Sequence, residues 1–166
     1  MATALFITDI DLVRNTMIDG SVDVNKYKES IKIAQQIHIQ NYLGTKLYDK
    51  ISDDIIAGTL AGDYLSLVNE YIKPMLIHFA MVDYLPFAAF TVANGGIYKH
   101  SPENAEAATK NEIDYLVTKH RDFAQFYTRR FIDFMTFNQG KYPEYYSSTN
   151  EDMYPDQDAN FTGWVL

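Results

Sequence analysis

The chain has 166 residues, no cysteine, 47% hydrophobic and 22% charged residues, and a formal charge of −8. That length fits one domain with residues to spare, and a body of roughly 140 residues buries enough surface to fold without a disulfide or metal staple. The missing cysteine excludes thiol chemistry and cysteine-bound zinc, and the acidic balance argues against gripping nucleic-acid phosphates.

The charge is unevenly spread. Residues 142–166 contain no Lys or Arg and carry five acids, Glu144, Glu151, Asp152, Asp156 and Asp158, which leaves −3 for residues 1–141. This divides the chain into a body, 1–141, and an acidic, aromatic C-terminal arm, 142–166.

The opening MATALFITDID lacks both a basic stretch and a long apolar run, so no secretion signal is read there. Thr8 followed by Asp9 and Asp11 predicts an N-cap and acidic first turn for a short helix through about Asn15. Gly20 turns the chain, and Asp23 caps a second helix. Val24, Tyr27, Ile31, Ala34 and His38 mark one buried stripe along that helix. Ile33 and Ile37 form a second stripe, so contact on both faces is expected. Gly44 ends the helix and Thr45 is expected to cap the next, whose row is Leu47, Ile51 and Ile55. Gly58 and Gly62 bracket a turn.

A helical pattern then runs from about Asp63 to Phe90, to be kinked or divided by Pro74 and Pro86. Its apolar section MLIHFAMVDYLPFAAFTVA is interrupted by His78, Asp83 and Pro86, which favours a central core helix over a membrane span. In TVANGGIYKHS, Asn94-Gly95-Gly96 is a tight-turn signal between β-prone residues, giving the chain's one hairpin candidate, with Ile97 and Tyr98 on its second strand. An isolated hairpin is marginal in water, so it must lean on its own helices or on another subunit. The best-defined helix spans roughly Lys110 to Asn138, with a stripe from Ile113 through Phe123 and Tyr127 to Met135. Gly140 ends it and Pro143 is expected to prevent renewal. The fold class is therefore mainly α: a helical bundle with one small β-hairpin and an extended C-terminal arm.

No readable motif carries catalysis. His38, His78, His100 and His120 lack metal-ligand spacing, and hydrogen-bonded core histidines are the better account of those on apolar stripes. Asp53-Asp54 and Asn150-Glu151-Asp152 lack calcium-loop spacing. GxxxxGK[ST], GxGxxG and GxSxG do not occur. Lys119, Arg121, Arg129 and Arg130 are interleaved with Glu112, Asp114, Asp122 and Asp133, as on a solvated helix face. No enzyme, cofactor or metal is expected.

The segments IKIAQQIHIQNYLGTKLYDKI, NEYIKPMLIHFAMVDYLPF, ANGGIYKHSPENAEAATKNEIDYL and AQFYTRRFIDFM with KYPEY, in this order, resemble the head–tail connector (adaptor) proteins of tailed phages infecting Bacteroidetes, including crAss-like phages. The resemblance covers roughly residues 5–146 and rests on segment order rather than on a catalytic motif. It implies a virion protein at the head–tail interface, assembled in the host cytoplasm. It further implies a ring homo-oligomer, twelve-fold by that resemblance, beneath the portal protein. Tail or further neck ring proteins would be partners, and DNA would pass through the lumen without specific binding; no membrane is involved. The expected subunit or portal interface comprises Asn94, Gly95, Gly96, Ile97 and Tyr98 of the hairpin. Tyr142, Tyr145, Tyr146, Phe161, Trp164 and Leu166 of the arm complete it. The arm is too polar between 147 and 160 to order itself, so it is expected to order only on assembly, anchored by Trp164; the competing reading folds its tip back on the body. The functional alternative is an intracellular helical regulatory protein that binds a host or phage partner through its acidic tail.

Overall fold

A computed structural model describes residues 4–99, 103, 106–147 and 152–160. The chain is mainly helical, with one two-stranded antiparallel sheet.

Helix α1, Asp9–Asn15, begins with the expected device: Thr8 and Asp11 form a reciprocal capping box. Asp23 caps α2, Val24–Ala34, by accepting from the Asn25 amide. This helix runs on through a π turn, Gln35–Ile39, into α3, Gln40–Leu43. Tyr27, Ile31, Ala34 and His38 are buried as the spacing requires, whereas Val24 at the exposed first turn is not. Ile33 and Ile37 stay exposed, so the expected second contact face is not covered by the described residues.

Within the π turn sits Gln35, fully buried, whose amide accepts from Phe6 N–H at 2.8 Å and donates to Ala4 O at 2.7 Å and Tyr48 Oη at 2.9 Å. A π turn inserts one residue into a helix without ending it. Here that turn carries the polar group that ties the N-terminal segment to α4.

Helix α4, Thr45–Ala57, starts at Gly44 and ends at Gly58 in the left-handed region. Thr45 does not cap it: its hydroxyl turns to Gln40 and Asp152 instead. After the Gly58–Gly62 turn, the long helical pattern resolves into α5, Gly62–Leu67, a π turn, Val68–Ile72, α6, Lys73–Tyr84, and a single 3-10 turn, Leu85–Phe87. Pro74 does not end the helix. It has no N–H to offer Glu70 O four residues earlier, and that carbonyl accepts from Arg130 Nη1 at 3.2 Å.

Helix α6 is the centre of the bundle. Met75, Leu76, Ile77, Phe79, Ala80, Met81 and Tyr84 are all buried, on every side of it, because α2 packs on one flank and α7, Lys110–Phe137, on the other. Such all-round apolarity is what a helix enclosed by its neighbours needs. Among the described residues, no helix is long and apolar enough to cross a membrane. Thr109 and Glu112 form a second capping box at the start of α7. Past a 3-10 turn, Gln139–Lys141, Pro143 occupies the first position of a short helix, α8, Pro143–Tyr146, rather than preventing renewal. At that position the missing N–H costs nothing and the fixed φ suits the helix.

Candidate functional site

The hairpin forms where the turn signal placed it. Strands β1, Phe90–Ala93, and β2, Gly96–Lys99, pair antiparallel with Phe90 opposite Lys99 and Val92 opposite Ile97. Gly96 holds φ at +132°, a value that side-chain-bearing residues rarely adopt, and a Cβ on Gly95 would overlap Tyr98 Oη at 2.3 Å. The turn therefore needs glycine at 96, while a side chain at 95 would only have to displace the exposed tip of Tyr98. At its base the hairpin is tethered by Lys99 Nζ, which donates to Ala108 O at 3.3 Å just before α7.

Every residue of both strands is exposed. Alternation puts Phe90, Val92 and Ile97 on one face and Tyr98 on the other. Val92 is 79% exposed and Ile97 71%, and Phe87 at the entry is 73% exposed. A two-stranded ribbon with neither face covered gains little from its own side chains. Asn94, Gly95, Gly96, Ile97 and Tyr98 are thus brought together on one projecting, apolar element.

The arm residues behave differently, and two expectations are corrected. Tyr142 and Tyr145 are core residues, not a free contact surface. Tyr142 donates to Asp63 O at 3.0 Å and meets Tyr64 edge-on, while Tyr145 sits edge-on to Phe131. Burial pushes the phenols of both up to about 12. Tyr146 is half-exposed and donates to Met135 O. Packing of the body therefore continues past Lys141 through α8.

Second, residues 152–160 lie against the body of the same chain instead of waiting for a partner. Thr45 N–H donates to Met153 O at 3.1 Å, Met153 N–H to Thr45 Oγ1 at 3.1 Å, and Asp156 N–H to Asn41 O at 2.9 Å. Thr45 Oγ1 also donates to Asp152 at 2.9 Å, and Ala159 is buried. The physical reason is the helix break at Gly44. It leaves the last carbonyls of α3 and the first N–H groups of α4 without helical partners, and the arm supplies them. Two acids of this stretch are engaged within the chain, Asp152 with Thr45 and Asp156 with Asn41. Phe161, Trp164 and Leu166 lie outside the described residues.

The three histidines on apolar stripes have partners, His38 buried and His78 and His120 half-buried, while His100 lies outside the described residues. His38 is buried, stacked on Phe79 at 4.1 Å and 3.4 Å from Asp83. His78 on α6 and His120 on α7 face one another with their Nδ1 atoms 3.1 Å apart. Burial, then the neighbouring His120, pulls the His78 pKa down to about 4, and burial lowers that of His120. Among the described residues, no three His, Asp or Glu side chains gather where they could hold a metal ion.

Sequence reading missed the arm's docking site and the exposed face of α7, where Tyr115, Phe126 and Phe137 stand in solvent. The first had a signal, since a glycine break inside a helical run leaves backbone groups that something must satisfy. The second was visible only as aromatic residues lying off the buried stripe.

No curated protein and no solved structure matches the chain. A protein-family model does, over residues 39–154, a span that takes in the Gly44 break, the hairpin, α7 and the first docked arm residues. The chain belongs to that family, DUF6712, described as a family of unknown function.

Proposed function

We propose that this protein is a structural subunit: a head–tail connector of a tailed phage that assembles as a ring beneath the portal and links capsid to tail around the DNA channel. The observation that carries the assembly role is the projecting hairpin, with Phe90, Val92, Ile97 and Tyr98 exposed on a ribbon too small to stand alone. Exposed apolar side chains and unpaired strand edges are what a neighbouring chain covers by strand addition or side-chain packing. The placement at the head–tail interface comes from the resemblance of the segment order to phage connectors. In this reading the helical body, with α8 and the docked residues 152–160 packed on it, is the structural unit, and the hairpin reaches the next subunit or the portal. No step of turnover is involved.

The reading is tested by mixing purified chain with its phage's portal protein and imaging the product. A ring of this chain stacked on the portal is the expected result. A chain that never joins the portal and is missing from purified particles contradicts it.

A further inference from the structure

Helix α7 carries a second seam that the bundle does not use. Tyr115, Lys119, Asp122, Phe126, Arg130, Asp133 and Phe137 are all exposed. Their spacings of four, three, four, four, three and four confine them to a stripe about 80° wide, at about 100° per residue. The stripe is about 33 Å long at 1.5 Å per residue. An eleven-residue repeat matches the natural winding of a helix closely, so such a seam stays straight instead of drifting round the surface.

The order of residues is symmetric about Phe126. Four positions away on either side are Asp122 and Arg130, seven away Lys119 and Asp133, eleven away Tyr115 and Phe137. Each acid is mirrored by a base and each aromatic by an aromatic. Two copies of α7 laid antiparallel with Phe126 at the centre would set Lys119 against Asp133, Asp122 against Arg130 and Tyr115 against Phe137, each twice, with Phe126 against its own equivalent. A parallel pairing would set each of these charges against its like. Among the described residues, Lys119, Asp122 and Asp133 make no ion pair within the chain. Arg130 is already positioned by Glu70 O and the face of Tyr71, 4.6 Å from the ring centre.

We infer that the exposed face of α7 is a two-fold, antiparallel docking surface for a second copy of this chain. The inference stands apart from the connector reading. A two-fold contact closes on itself and cannot build a ring, which needs a head-to-tail surface. The seam would therefore pair unassembled subunits and leave the hairpin free.

The test uses the full-length chain. Sedimentation should show a reversible dimer. Lys119→Glu or Asp133→Lys alone sets like charges across the seam twice and should weaken the dimer by about tenfold or more. The combined Lys119→Glu, Asp133→Lys exchange should restore it, which a merely structural effect of either change would not do. Phe126→Cys, in a chain with no other cysteine, should be linked to its equivalent by a short bismaleimide far faster than Ile56→Cys, an equally exposed site on α4. Melting curves check that each variant folds. A chain monomeric at every concentration, a double exchange no better than the single changes, or equal linkage at both cysteines would each overturn the proposal. So would a chain whose Phe126 is covered only when a different protein, a vesicle or a nucleic acid is added.

Discussion

Pro155 fills the space that a side chain at Gly44 would need: a Cβ built there would come within 2.7 Å of Pro155 Cδ, and Gly44 holds φ at +72°. One residue thus breaks α3 from α4, exposes backbone groups at the break, and admits the arm that satisfies them. Gly44→Ala is expected to destabilise the chain by about 2 kcal/mol, through the left-handed backbone and the overlap together. Limited proteolysis should then cut within residues 152–160 in the variant and spare them in the wild type.

Truncation after Ser147 should leave a folded body, because the core residues through Tyr145 remain. It should also speed hydrogen exchange at the Thr45 amide, whose acceptor is Met153 O. Unchanged protection at Thr45 would mean that the arm does not dock there in solution.

Gln35→Ala removes one amide and strands three partners, Phe6 N–H, Ala4 O and Tyr48 Oη. Buried groups left without partners make the expected loss about 2–4 kcal/mol, read by urea denaturation.

How far the sequence disclosed these features depended on whether their causes were local. The cap at Thr8 with Asp11 was legible, since a cap is made within one turn, whereas the box of Thr109 with Glu112 ahead of α7 was not read although its residues also lie within one turn. The hairpin was legible because Asn94-Gly95-Gly96 permits little else. Val24 and Phe123 followed the helical spacing but sit at the margins of the buried stripe, where spacing alone does not set burial. The docking of the arm joins residues more than a hundred positions apart, so neither partner's neighbourhood announced it. The two π turns left no readable mark, because one inserted residue preserves the apolar pattern on both sides.

The His78–His120 pair predicts an acid-labile contact between α6 and α7. The His78 pKa falls from 6.5 to about 4 in the fold, so the unfolded chain binds protons first as the pH drops. Stability is therefore full above about 6.5 and is lost as the pH falls towards 4. In His78→Gln, the melting temperature should fall less between pH 7 and pH 4 than in the wild type. A parallel pH dependence in the two proteins would remove the pair as the cause.

Changing Ile97 and Tyr98 together to Ser should shift stability by no more than about 0.5 kcal/mol, because both are exposed. The same change should impair assembly with the portal. Circular dichroism and melting on the isolated chain separate the two effects, and a large fall in melting temperature would place the hairpin in the chain's own core.

The most direct measurement of the connector account is a cryo-electron microscopy reconstruction of the neck of the phage particle that carries this chain. The account predicts a ring of this protein between portal and tail, with Val92, Ile97 and Tyr98 of each copy covered by a neighbouring subunit or the portal. A neck built without this chain, or a ring whose hairpins stand in solvent, would contradict it.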